Sequence, residues 1–137
     1  MYKCSNKYIE ENMNKMVENK KEEDGKMKLE EIFARIEDTN KRIISKQNKL
    51  VVEQKYLFEK EEELLMKEID LMKSEEYGGL KNDRMRKAFL NEKTQNERFQ
   101  VNNVKLTIKE IENNINFEEQ TIKMLNRMID NQFYESE

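Results

Sequence analysis

Leu29, Ile36, Ile43, Leu50, Leu57, Leu64 and Leu71 recur at strict seven-residue spacing. A period of seven sustained this long keeps one edge of an α-helix against a partner helix along its whole length. At 1.5 Å per residue, a helix of about 50 residues reaches roughly 75 Å. Ile44, Val51, Phe58, Leu65 and Met72 sit one residue later and are expected to widen the stripe. The other seam position, usually filled by Ile or Val, falls by this count on Phe33, Asn40, Gln47, Gln54, Glu61 and Glu68. Polar residues there cost stability and set register, or pair with a partner.

Composition agrees with a narrow stripe. Of 137 residues, 36% are hydrophobic and 40% charged, too few apolar residues for a compact globule of this length. Such a chain is either disordered or built of elongated helices. Proline is absent and glycine occurs only three times, so little interrupts a helix and the helical reading is favoured.

Tyr77-Gly78-Gly79-Leu80 ends the first arm, the glycines being expected to supply a left-handed helix stop. Asn82 or Asp83 can cap the next helix. Leu90, Val101, Val104, Ile108, Ile111, Ile115, Ile122, Leu125 and Ile129 then form a second seam, interrupted by Thr94, Glu97 and Glu118. A short turn between two long amphipathic helices makes an antiparallel hairpin. Pairing about the glycines brings Leu57 near Val101, Leu50 near Ile108, Ile43 near Ile115, Ile36 near Ile122 and Leu29 near Ile129. The same register sets Asn40 near Glu118 as a polar layer.

The expected fold is therefore all-α, a long antiparallel two-helix coiled-coil hairpin with a short N-terminal helix. Residues 1–25 hold that helix (about Ser5 to Glu23, with Tyr8, Ile9, Met13, Met16 and Val17 at helical spacing) or a mobile segment, broken at Asp24-Gly25. Residues 26–137 hold the hairpin, with arms at about 26–76 and 82–134 and the turn at 77–81.

Several function classes lose ground on residue types alone. No histidine is present and Cys4 is solitary, which removes Ser-His-Asp and Cys-His catalysis, a zinc set and an internal disulfide. Glu61, Glu68 and Glu118 could serve as metal ligands in a bundle core, but di-iron bundles also need Glu-x-x-His. Gly78-Gly79 lacks the spacing of a phosphate-binding loop. No enzyme activity, cofactor or metal is expected. Met1 to Met16 carries no apolar signal core and apolar runs stop at three residues, so no membrane span is expected and the location is cytoplasmic. The 26 basic and 29 acidic residues are interspersed and net to -3, which argues against a DNA mimic and a general polyanion binder. Abundant Lys, Asn, Ile and Glu point to an AT-rich bacterial or phage genome.

Two surfaces are left for function. Lys81, Arg84, Arg86 and Lys87 cluster at the start of the second arm, where cations oppose the helix dipole. Either Glu68, Glu75 and Glu76 offset them across the turn, or the tip grips phosphate or an acidic partner. Phe99, Leu106 and Phe117 fall off the second seam, and Phe89, Phe133, Tyr134, Met124 and Met128 add apolar surface beyond what one seam buries. Such a face takes the N-terminal helix, a second copy or a target.

The stretch Leu80-Lys81-Asn82-Asp83-Arg84-Met85-Arg86-Lys87-Ala88-Phe89-Leu90 resembles a motif of small phage and prophage helical-hairpin proteins of undefined role. There, a charged helix ends in a short turn followed by Asn, an acidic residue, Arg, Ala and an aromatic-Leu pair. The resemblance covers the turn and about three helical turns. It implies a phage accessory protein, of the kind encoded near recombination or counter-defence genes, and no particular activity.

The leading expectation is a protein that works by binding another protein, such as a phage-encoded inhibitor of a host nuclease or defence complex, through Arg84, Arg86, Lys87, Phe99, Leu106 and Phe117. The second is a self-assembling scaffold in which two hairpins form a homo-oligomeric four-helix bundle. Nucleic-acid binding through the basic tip ranks third, because the chain is acidic overall.

Overall fold

The computed structural model describes residues 27–135. The expected N-terminal helix, the break at Asp24-Gly25 and Cys4 lie outside the described residues. Those described are all-α, with helices α1 (Leu29–Met72), α2 (Glu75–Gly78), α3 (Asp83–Lys93) and α4 (Gln95–Glu135) and no strand among them. The long helix α1 packs against α4. The chain divides into two compact units, one of the residues up to Ser45 with those from Asn114 on, the other Lys46–Asn113.

In the first unit, Ile32 and Leu125 are fully buried and form a core with Met27, around which Ile36, Met128 and Ile129 pack. Full burial of a side chain of this size stabilises by about 1.5–3 kcal/mol. The Gln132 amide donates to the Met27 carbonyl and ties the chain entering α1 to the last turns of α4. On α1 in this unit Ile32, Thr39 and Ile43 are buried and Leu29, Arg35 and Ile36 half-buried. The second seam position is thus one residue earlier than expected, and Phe33 and Asn40 are exposed. A row spaced by sevens fixes one edge of a stripe but leaves open on which side the stripe lies. Ile32 decides it, being the apolar residue that completes the core.

Glu118 is therefore met by Arg42 and not by Asn40. The Arg42 guanidinium donates from Nε to both carboxylate oxygens at 3.2 and 3.3 Å. Its Nη2 donates to the Thr39 hydroxyl at 3.0 Å, and that hydroxyl donates in turn to the Arg35 carbonyl at 2.7 Å. Thr39 and Glu118 are both buried, so this set of bonds satisfies polar groups that would otherwise be costly.

In the second unit the α1 seam runs through Leu50, Glu53, Leu57, Lys60, Leu64, Lys67 and Leu71, all half-buried. Opposite them Val101, Val104 and Ile108 of α4 are buried. Long polar side chains lay their methylene stems over short β-branched ones while their heads reach water, which explains the asymmetry. Ion pairs fix the alignment: Lys67 with Glu97 at 2.6 Å, Glu68 with Arg98 at 2.6 Å, and Glu61 with Lys105 at 4.0 Å.

These pairs set the last turns of α1 level with the start of α4, so α3 needs another covering. The link between the arms supplies it. The Tyr77 and Phe89 rings lie 6.2 Å apart, and Arg86 spans from above the Tyr77 ring to the Leu80 carbonyl. The compact turn expected at 77–81 is thus a longer link, residues 73–82, with its own helical turn α2.

Hydrogen bonds, rather than glycine conformation, end the helices. The Ser74 hydroxyl donates to the Leu71 carbonyl at 2.6 Å and accepts from the Tyr77 amide at 3.3 Å, closing α1 and starting α2. Gly79 has φ −82°, an ordinary right-handed value, and Gly78 is likewise outside the left-handed region. In place of the expected left-handed stop, the Gly79 amide donates to the Glu75 carbonyl and the Leu80 amide to the Tyr77 carbonyl, closing α2. Asn82 caps α3, its Oδ1 accepting from the Met85 amide at 2.9 Å. Thr94 separates α3 from α4: its hydroxyl donates to the Leu90 carbonyl at 2.6 Å and accepts from Arg98 Nε at 2.9 Å.

Candidate functional site

The basic cluster divides once α3 is in place. Arg86 faces the link, held by the Leu80 carbonyl at 3.3 Å, the Asp83 carboxylate at 3.3 Å and the Tyr77 ring. Its role is to dock the link. Arg84 and Lys87 are exposed and make no ion pair among the described residues. Glu68, expected to offset the cluster, is instead engaged by Arg98.

Phe99 is 66% exposed and Leu106 51% exposed, on the side of α4 away from its seam. Phe117 is half-buried and belongs to the other unit. Arg84, Lys87, Asn91, Gln95, Phe99, Asn102 and Leu106 follow one another in steps of three or four along α3 and α4. Residues so spaced share one helical face. The tip cations and the flank apolars, expected as separate patches, therefore lie on one stripe.

Between them is a depression of about 620 Å³, lined by Ala88, Asn91, Gln95, Phe99 and Asn102 among others. It opens broadly to solvent at the α3–α4 junction. Substrate pockets bury most of their ligand behind apolar walls. This one has the form of a shallow seat for a side chain presented by a larger surface. Thr94, with φ −116°, separates α3 from α4 there, while its amide and carbonyl keep the helical bonds to Leu90 and Arg98. Nothing in the residue types announces that break.

The row expected to widen the α1 seam lies outside it. Val51, Phe58, Leu65 and Met72 of the second unit are 63%, 67%, 55% and 44% exposed, as is Ile44 of the first at 58%. One residue further along a helix is about 100° further around it, too far to share a narrow seam. The row is an exposed stripe on α1, with Val52 and Met66 beside it.

The carboxylates that might have served a metal are held by cations: Glu118 by Arg42, Glu68 by Arg98 and Glu61 by Lys105. Among the described residues no group of three or more His, Cys, Asp or Glu could hold a metal ion. Among the described residues, Glu97 and Lys60 titrate away from their ordinary values. A hydrogen bond from Lys67 holds the Glu97 carboxyl low, and one to Glu63 holds the Lys60 ammonium high. The second Glu97 oxygen is buried without a hydrogen-bond partner. Both groups belong to the packing of the arms and neither faces the stripe. No helix among the described residues is long and apolar enough to cross a membrane.

Comparison with protein-family models, curated proteins and solved structures returned no match.

Proposed function

We propose that this chain is a non-enzymatic antiparallel helical hairpin that binds another protein through the α3–α4 stripe. The antiparallel reading is supported within the second unit by the order of the ion pairs. Glu61 pairs with Lys105 and the later Lys67 with the earlier Glu97. The short link between two long apolar seams supports it too.

The observation that carries the binding role is the alignment of exposed Arg84 and Lys87 with exposed Phe99 and Leu106 across an open seat on one helical face. Such a face matches a partner presenting an apolar side chain or helix edge with carboxylates at one end. Apolar anchors in a shallow seat supply affinity, and unpaired cations at the rim supply orientation and association rate. The likeness of Leu80–Leu90 to small phage and prophage proteins supports a more specific proposal, an inhibitor of a host nuclease or defence complex acting by occlusion.

Recovery of partners from a nuclease-treated native lysate tests this. The wild type and a variant carrying Arg84→Glu, Lys87→Glu, Phe99→Ala and Leu106→Ala would be compared. We expect one stoichiometric protein with the wild type and its loss with the variant. Equal recovery by both would place binding elsewhere. Binding to nucleic acid through Arg84 and Lys87 would instead show affinity falling steeply with salt.

A further inference from the structure

We infer that a second copy of this chain docks antiparallel on the exposed α1 row of Val51, Phe58, Leu65 and Met72, about a two-fold axis at Phe58. This surface is separate from the α3–α4 stripe and does not rest on the partner-binding proposal.

The first ground is the period. A spacing of seven is what a helix needs in order to follow another helix along its length. The buried seam of α1 already uses that period once, through Leu50, Leu57, Leu64 and Leu71. The exposed row repeats it one residue later, over 21 residues or roughly 32 Å of helix. A globular partner or a small ligand has no use for such regularity.

The second ground is area. Val51, Phe58, Leu65 and Met72 each expose between 44% and 67% of their surface. Together they offer about 450 Å² per copy, against about 800 Å² per partner in a standard stable interface. The stems of flanking lysines and glutamates can supply the remainder.

Charge selects the occupant. Lys55 lies three residues before Phe58, and Glu61 and Glu62 lie three and four after it. A two-fold axis at Phe58 sets Phe58 against Phe58 and Val51 against Leu65 of the second copy. The same axis brings Lys55 of each copy to Glu62 of the other, twice over by symmetry, because both lie on the same flank of the row. In a parallel arrangement each flank faces the opposite flank of the other helix, and Lys55 no longer meets Glu62. Among the described residues neither Lys55 nor Glu62 makes an ion pair within the chain, and Glu61 makes only the 4.0 Å contact with Lys105. The row thus complements itself in one orientation.

Sedimentation velocity on the full-length chain over a range of concentrations tests this, with helical content checked by circular dichroism. The wild type is expected to sediment as a dimer, at twice its 16.7 kDa. Phe58→Asp is expected to give a monomer of unchanged helicity, since Phe58 is exposed in the single chain. Lys55→Glu should raise the dissociation constant about tenfold, and adding Glu62→Lys should restore it. A wild type that stays monomeric to about 100 μM, well above a micromolar dissociation constant, would overturn the inference. So would a dimer indifferent to Phe58→Asp, or a charge swap that fails to restore what Lys55→Glu loses. None of these substitutions touches Arg84, Lys87, Phe99 or Leu106, so loss of self-association and loss of the outside partner are read separately.

Discussion

Arg98 of α4 holds the Glu68 carboxylate of α1 at 2.6 Å while its Nε reaches the buried Thr94 hydroxyl at 2.9 Å. The first unit contains the same arrangement with the helices exchanged: Arg42 of α1 holds Glu118 of α4 and donates to the buried Thr39 hydroxyl. In each, the threonine hydroxyl is donated to the carbonyl four residues back, which leaves its oxygen free to accept from the arginine. A buried threonine, an arginine one turn on and a glutamate from the other helix thus form a closed polar layer. Such layers fix register better than they add stability.

Removing one member of a layer should cost more than removing the whole. Arg98→Ala leaves Glu68 and the Thr94 oxygen short of donors and is expected to cost about 1–2 kcal/mol, discounted for the exposure of the pair. Glu68→Ala should cost a similar amount, and the double variant less than the sum. Urea unfolding of the four proteins gives the coupling directly. Strict additivity would show that the contact does not operate in solution.

The position of the α1 seam can be tested by filling it. Glu53 is half-buried in the seam, whereas its neighbour Gln54 is exposed. Glu53→Leu should stabilise by about 1–2 kcal/mol through added apolar burial. Gln54→Leu should stay within about 0.5 kcal/mol of the wild type, as surface changes do. Reversal of the two effects would restore the seam to Asn40, Gln47 and Gln54.

The link glycines carry no positive φ, so alanine should be tolerated at both. A Cβ at Gly78 meets nothing within 4 Å, and one at Gly79 meets backbone oxygens at ordinary contact distances of 3.5 and 3.7 Å. Gly78→Ala and Gly79→Ala are expected to be neutral or to stabilise by about 0.4–1 kcal/mol, by restricting the unfolded chain. A loss above about 1 kcal/mol at either position would mean a left-handed residue.

Stability should fall at both ends of the pH range for two separate reasons. The hydrogen bond from Lys67 depresses the Glu97 carboxyl below 4.5, so its stabilisation is present above that value and is lost as pH falls through the lower folded one. The Lys60 ammonium, bonded to Glu63, is raised above 10.5, so its contribution is present below that value and is lost as pH rises past the folded one. Melting temperatures of Glu97→Gln and the wild type should differ at pH 7 and converge in strong acid. A gap of constant size across that range would sever Glu97 from the acid limb.

Much of this fold is legible in the residue order, because the leucine row and the second apolar series each keep one helical edge for dozens of residues. The seam position paired with the leucines is not, since three steps forward and four steps forward both satisfy a period of seven. Ile32 carried the needed information, but only its burial against Met27 and Leu125 reveals it. Thr94 is permitted inside a helix, so the break at it is invisible until its hydroxyl is seen to donate to Leu90 while accepting from Arg98. Phe99 and Leu106 could be recognised as candidates by falling off the seam. Separating Arg84 and Lys87 from Arg86 required the positions of Tyr77 and Leu80, which only the folded link supplies.

Photo-crosslinking in host cells tests the binding face most directly. A benzophenone side chain would replace Phe99, at the centre of the stripe, or Phe33, which is similarly exposed in the other unit. We expect a discrete crosslinked complex with a second protein species from position 99 and none from position 33. Crosslinks of equal yield from both, or none from position 99, would contradict the assignment of the α3–α4 stripe as the binding surface.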